Sequence, residues 1–524
     1  MKKFISILLA LVMVFSLSSV AFAANTPVIP VIIVRGMGED IYLQRDDGTQ
    51  EKVFAPDTKS IMSAVTEVVP AVISAVANDN YSNLDMAMRK VKSLFKYLAC
   101  NEDGTPAYNL TVDYTPENLT HYQNKKGSEW KIAYSVADAV GSENTYFFTY
   151  LWTQSPIKIA EDLNAYIENV KAETGADKVS LVACSMGGTI TMSYLEKYGI
   201  DSIKNVVLAS TAFLGTDIVG KLFSKDIDIS INDVLDYFGA FLGRDVIQNI
   251  VQIVKYVLED EGMIEETDDM LEELTLNLLD TLYSDVFMDT FVTMPGMWGL
   301  IPSAYYEKAK TALFADGEYP SFITTDIDYY MENVQSKAKE IIYDAQDNGV
   351  NVYITASYLT PGVPVTSDNE EYTDNLVDLK YASGGATVAE YGKTLKDVTI
   401  NEADRVCKNR FHDHVSSDNV VDASTCILPE QTWIIKNIGH MNYEYGKDTC
   451  ALLVYLATST RRVNIESSAK YPQFVNVNSS TGNFESISSE GSAFAGASLS
   501  DIIRLLIKNV FKIILNYLKN NAAI

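Results

Sequence analysis

Residues Val179 to Gly188 read Val-Ser-Leu-Val-Ala-Cys-Ser-Met-Gly-Gly, and their chemistry centres on Ser185. A serine hydroxyl becomes a nucleophile at neutral pH when a base lies within hydrogen-bond reach and a carboxylate orients that base. Small residues, Ala183 and Gly187, stand two before and two after the serine. A strained strand-to-helix turn requires them, because backbones pass close together there. Such a turn lifts the hydroxyl clear of a sheet and sets it at a helix N-terminus, where amide N–H groups favour developing negative charge. The plainer alternative is a serine that caps a helix after a core strand.

Four histidines are available as the base. On a strand–elbow–helix scaffold the chain order is serine, acid, histidine, so His121 falls on the wrong side. His412 and His414 flank Asp413 in a polar stretch. Their spacing can bind a metal, but two histidines and an aspartate in a loop are more often solvated, and neither a metal nor a cofactor is assigned. His440 remains. It follows the apolar strand Trp433 to Asn437 through Ile438-Gly439, where a loop presents a side chain above a sheet. The expected acid is Asp418, 22 residues before His440, with Asp422 and Asp413 in reserve. Its role would be to hold the neutral tautomer of His440 and stabilise the imidazolium. The expected oxyanion donors are the backbone N–H groups of Met186 and of Met37, the latter in the turn Arg35-Gly36-Met37-Gly38. Activity should need neutral His440 and fall below roughly pH 6 to 7.

These groups need a scaffold, and the patterns around them describe one. Pro27 to Val34 is a short apolar run suited to a strand buried on both faces. Tyr42 to Phe54, with Asp46-Asp47-Gly48 at its middle, reads as a hairpin. Helical patterns occupy Ser60 to Val76 and Leu84 to Leu98. Tyr146 to Trp152 is an aromatic strand, and Ser155-Pro156 opens a helix that Gly175 closes. The elbow strand, its helix and the strand Asn205 to Ala209 follow. Alternation of strands and helices predicts a parallel sheet covered on both faces. Helical periodicity then dominates from Gly215 to about Asp344, which predicts an inserted helical subdomain. Strand character returns at Asn351 to Ser357, Pro361 to Arg410 reads as a second insertion, and Lys447 to Ser459 as a helix. The Ser, Gly and Asn content of Gln473 to Gly496 predicts a linker. In Leu499 to Leu518 a polar stripe of Arg504, Lys508, Lys512 and Asn516 runs through an otherwise apolar helix. Its repeated charges argue against a spanning helix. Such a helix lies on an anionic membrane or docks on the acidic body of the protein.

The chain has 524 residues, 47% of them hydrophobic, and a formal net charge of -28. That size suits one large domain with insertions, or two to three domains, and the charge makes nucleic acid a poor partner. Lys2 and Lys3, the apolar run Phe4 to Val20 and Ala21-Phe22-Ala23 form a bacterial secretory signal with cleavage near Ala23. The protein is therefore expected to be secreted or attached to the cell surface. The five cysteines are few for a disulfide scaffold. Cys184 should point into the core, and a bridge among Cys407, Cys426 and Cys450 is open.

Together these residues resemble the α/β-hydrolase superfamily, and within it secreted bacterial lipases and lecithin:cholesterol acyltransferase-like enzymes. Ala183-Cys184-Ser185-Met186-Gly187-Gly188 is similar to the alanine-type elbow of small lipases. Pro30 to Gly36 resembles the strand that usually ends in His-Gly, with Arg35 in place of that histidine. Trp152 and Ser155-Pro156 resemble an acyltransferase-like strand-to-helix junction. Thr360 to Pro364 and Asn437 to His440 also fit that family, while Met294-Pro295-Gly296 and Leu300 to Ser303 suggest a lipase-type lid. The resemblance implies a mostly parallel central sheet with a large helical lid or cap, and attack by Ser185 on a lipidic or long-chain acyl ester. The expected organisation is a signal at 1–23 and a hydrolase core at 24–214 and 345–465. A helical cap would fill 215–344, a linker 466–498 and an amphipathic helix 499–524. The same triad also serves amidases and peptidases, and a hydrolase scaffold can persist in a non-catalytic surface protein.

Overall fold

A computed structural model describes residues 28–37, 40–54, 89, 92–112, 117–122, 130–228, 283–314, 317–363, 371–398, 403–409, 411–440 and 446–487. The expected signal, the helix at Ser60 to Val76, residues 84–88 and 90–91 of the next expected helix, residues 229–282 of the helical insertion and the terminal helix lie outside these residues.

Eight strands make the central sheet: β1 (Val31–Val34), β2 (Thr145–Phe148), β3 (Val179–Cys184), β4 (Ile203–Ala209), β5 (Asn351–Tyr358), β6 (Thr432–Lys436), β7 (Phe474–Val477) and β8 (Phe484–Glu485). Their spatial order is β8-β7-β6-β5-β4-β3-β1-β2, so the chain reverses its direction of travel across the sheet at β1. Every neighbouring pair is parallel except β7 with β8. The buried runs of β1 and β3 are what a strand covered on both faces requires.

Side chains alternate across the strands, and two cores result. Ile32, Val34, Leu181, Ala183, Leu208 and Ile354 face one of them. Val31, Ile33, Val182, Cys184, Val207 and Trp433 face the other. Helix α1 (Lys131–Val140) covers the second core with Ile132 and Val136, and α2 (Pro156–Thr174) covers the first with Leu163, Tyr166 and Ile167. The ends of α2 follow their sequence signals. Ser155 accepts from the Lys158 N–H at 3.2 Å, Pro156 opens the first turn, and Gly175 closes the helix at φ 70°. Helix α3 (Gly187–Tyr198) follows the elbow, α4 (Asp217–Phe223) follows β4, and α5 (Ser303–Leu313), α6 (Ala338–Asp347) and α7 (Lys447–Ala457) come later in the chain.

The expected linker departs from its composition. Phe474–Val477 is β7, parallel to β6, with Val475 and Val477 buried and Asn476 turned outward. The run Phe-Val-Asn-Val alternates as a strand should, but Ser, Gly and Asn on both sides mask it. The described part of the helical insertion belongs to the first core, through Trp298, Ile301, Ile323 and Tyr330. All five cysteines are free thiols. Burial pushes the Cys426 thiol up to about 12.

Candidate active site

The turn after β3 is strained in the way the sequence suggested. Ser185 has φ 54°, a left-handed backbone that a non-glycine residue adopts at a cost of about 1–2 kcal/mol. Two glycines make it fit. A Cβ on Gly187 would stand 2.3 Å from the Val34 carbonyl oxygen, and a Cβ on Gly36 would stand 2.5 Å from the Ser185 Cβ. The Arg35-Gly36-Met37 backbone therefore lies directly against the serine. Ser185's own carbonyl accepts from the Gly188 and Ala212 N–H groups, each at 3.1 Å. Met186 is buried as the first residue of the turn into α3, and Met37 is half-buried against the first core.

His440 arrives from the far side of the sheet. The Asn437 N–H extends the ladder of β6 by donating to the Tyr358 carbonyl at 2.9 Å, and Asn437 at φ 64° then turns the chain. Gly439 allows close passage, since a Cβ there would stand 2.7 Å from the Asn375 side-chain nitrogen. His440 Nε2 lies 2.8 Å from Ser185 Oγ, and its Nδ1 lies 2.8 Å from Asp374 Oδ2. The His440 N–H also donates to the Asp374 carbonyl at 2.5 Å. A carboxylate only accepts, so Nδ1 carries a proton and Nε2 is left to accept from the serine hydroxyl. The Asp374 side chain has no exposed surface, and its other oxygen accepts from the Val377 N–H at 2.8 Å.

The acid beside His440 is thus Asp374 and not Asp418. Asp418 Oδ2 pairs with Lys436 Nζ at 2.7 Å and accepts from Tyr358 at 3.1 Å, while Oδ1 accepts from Ser416 at 2.7 Å. Burial works against its charge, but the Lys436 ammonium and the Ser416 and Tyr358 hydroxyls prevail and hold the carboxyl below its usual range. The reserves are also spoken for. Asp422 caps the Ser424 N–H at 2.8 Å, and exposed Asp413 accepts from the Val415 N–H at 3.1 Å. Asp374 had a signal: it follows β5 by only 16 residues, just beyond the short antiparallel pair Thr360–Pro361 with Tyr372–Thr373. Proximity to His440 along the chain pointed instead to the other end of the insertion.

A second carboxylate cluster braces the Asp374 turn. Asp378 Oδ2 accepts from the Asp217 N–H at 2.8 Å, and the Thr216 hydroxyl donates to the Leu376 carbonyl at 2.6 Å. Lys380 bridges Asp217 and Glu371, each at 2.9 Å, and Tyr381 donates to Asp217 at 2.8 Å. Burial, with the Asp217 charge beside it, pushes the Asp378 carboxyl up to about 7. Arg35, where the resembled enzymes carry histidine, lays its guanidinium 5.8 Å from the Phe147 ring, and its carbonyl accepts from Tyr150 at 2.5 Å. Gly296 packs against the Trp152 carbonyl and the Met186 methyl, so the segment around Met294 walls one side of the elbow.

Residues 116–244 match the family described by the α/β-hydrolase fold. No curated protein sequence matches the chain. Among solved structures, the chain is similar to the Tle4–Tli4 complex at 16% identity, over 37% of this chain and 48% of that one, with a TM-score of 0.19. It therefore spans about half the length of that relative. It is also similar to the product of the gene lin2722 from Listeria innocua at 10% identity, over 86% of this chain and 98% of that one, with a TM-score of 0.26. The order of the parallel strands, the glycine-lined elbow at the end of β3 and the matched segment agree: the chain has the α/β-hydrolase fold.

Proposed function

We propose that this protein is a serine hydrolase that cleaves carboxylic esters, lipidic or long-chain acyl esters foremost, through an acyl-enzyme on Ser185. The observation that carries the proposal is the unbroken chain of 2.8 Å contacts from Ser185 through His440 to Asp374. Ser185 Oγ attacks the ester carbonyl carbon and its proton passes to His440 Nε2. Asp374 stays ionised, keeps the ring oriented and stabilises the imidazolium. The new oxyanion is held by the Met186 N–H and the Met37 N–H, the latter favoured by Gly36 lying against the serine. The imidazolium then protonates the leaving alcohol, and water resolves the acyl-enzyme by the same route. The apolar segment around Gly296, which packs against the Met186 methyl, supports an apolar acyl group. The signal-like start and the basic amphipathic end support an exported protein that meets its substrate at a lipid surface.

The test is hydrolysis of a chromogenic ester series, short to long acyl, by the protein and by Ser185→Ala, with fluorophosphonate labelling alongside. Turnover and labelling lost in the variant support the serine mechanism, and preference for long chains supports the lipidic substrate. A folded protein that neither labels nor turns over any ester would refute the proposal. Liposome binding that survives deletion of residues 497–524 would remove the membrane role of the terminal helix.

A further inference from the structure

A second group of reactive side chains lies away from the serine. Cys407, His412 and His414 each offer one ligand atom, and these atoms all lie within 4.8 Å of one another. Cys407 Sγ stands 3.7 Å from His412 Nδ1, close to the ligand–ligand spacing of a tetrahedron with bonds of about 2.3 Å to sulfur and about 2.0 Å to nitrogen. The Glu430 carboxylate lies 3.2 Å from the same His412 nitrogen. Asp413, between the two histidines, is turned away to its own backbone cap.

His414 decides what the cluster is for. It is 3% exposed, and its Nδ1 lies 2.8 Å from Gln473 Oε1. The orientation of that amide is fixed, because Gln473 Nε2 donates to the Pro429 carbonyl at 2.7 Å and the Thr432 carbonyl at 3.0 Å. The atom facing His414 is therefore an oxygen, which only accepts, so Nδ1 carries the ring proton. In the neutral ring Nε2 is then a bare lone pair. It is buried, and it has no hydrogen-bond partner among the described residues. A carbonyl that fixes the tautomer from behind and leaves the other nitrogen as an open lone pair is how proteins orient a metal-binding histidine, and His414 has a ring nitrogen within 4.8 Å of the Cys407 sulfur and a His412 nitrogen.

We propose that Cys407, His412 and His414 bind one zinc ion. A thiolate and two imidazoles suit this borderline-soft cation, and binding releases the Cys407 thiol proton to solvent. The site is structural. Pro429, Thr432 and Gln473 flank the starts of β6 and β7, whereas His440 follows the end of β6. A five-residue strand separates the two ends by about 16 Å. The ion would fasten residues 403–409, already tied by the Val406 and Cys407 N–H groups to the Ser424 carbonyl, to the end of the sheet where β6 and β7 begin.

The test uses the full chain, reduced and stripped of metal, with cobalt(II) as the probe. One equivalent per chain is expected, with the visible bands of tetrahedral cobalt and a thiolate charge-transfer band, both displaced by zinc. Cys407→Ser should lose the charge-transfer band. His414→Gln should weaken binding at least about tenfold, and Asp413→Asn should change neither. Zinc should raise the melting temperature of the parent chain and not of Cys407→Ser, while fluorophosphonate labelling of folded protein stays the same with and without zinc. Circular dichroism checks folding, and Cys407→Ser on its half-buried loop carries the test should His414→Gln fail to fold. Substoichiometric binding, or an unchanged cobalt spectrum in Cys407→Ser, would overturn the site. Labelling lost on metal removal from folded protein would overturn its structural role.

Discussion

Asp374 and Asp418 are two aspartates that follow the same strand, β5, and bind neighbours at the same end of the sheet, yet they do opposite things. Asp374 gives one oxygen to His440 and the other to backbone N–H groups. Asp418 gives one oxygen to Lys436 and Tyr358 and the other to Ser416. The difference lies in the partner. An imidazole, with an ordinary pKa of about 6.5, gains and loses its charge near neutrality, whereas a lysine, at about 10.4, does not. A carboxylate held by a lysine is neutralised at all working pH values and serves the fold. One held by a histidine is free to answer a charge that appears during a reaction.

The largest expected effect separates the two directly. Asp374→Asn should lower kcat for ester hydrolysis roughly 10^4-fold, because an amide at this place favours the wrong histidine tautomer. A loss under tenfold, measured in steady state on the folded variant, would hand the role to another carboxylate and break the comparison. Asp418→Asn should leave kcat within about tenfold of the parent. It should lower unfolding free energy by about 1–3 kcal/mol, since it leaves the half-buried Lys436 ammonium without its partner. Urea unfolding measures this, and an activity loss as deep as that of Asp374→Asn would show that both acids serve the base.

pH sharpens the contrast further. The Asp418 carboxyl is held below its usual range, so its contribution is present above the unfolded pKa of about 3.9 and is lost as pH falls through the folded value. The stability gap between the parent and Asp418→Asn should therefore close in acid. Asp378 is pushed the other way, up to about 7. Its contribution is fully present below about pH 4 and declines as pH rises through about 7. Asp378→Asn, which keeps an acceptor for the Asp217 N–H, should flatten that decline. Urea midpoints from pH 5 to 8 that shift equally in parent and variant would show that this cluster does not set the slope.

The elbow was legible because its determinants are local. Ala183, Gly187 and the run from Val179 are within a few residues of Ser185, and sterics at one turn decide the conformation whatever surrounds it. The caps of α2 were legible for the same reason, and His440 could be reached by chain order and the strand before it. The acid could not. Asp374 and Asp418 stand 44 residues apart with similar polar neighbours. Only the folding of the insertion, in which Tyr372–Thr373 pairs with Thr360–Pro361 and Thr387–Val388 with Val421–Asp422, brings both to the edge of the site. Strand β7 was hidden likewise, because four residues with an alternating pattern become a strand only when β6 offers an edge to pair with. The cysteine and histidines of the proposed zinc site are close in sequence, but the state of His414 is set by Gln473, 59 residues away.

The sequence by itself therefore determined the elbow at Ser185, the loop that carries His440 and the layered sheet, which follow from turn sterics, strand-and-helix periodicity and chain order. Which carboxylate faces His440, and which is consumed by a lysine, was decided only in the tertiary structure, because charge pairing depends on distances between segments that the chain order does not encode.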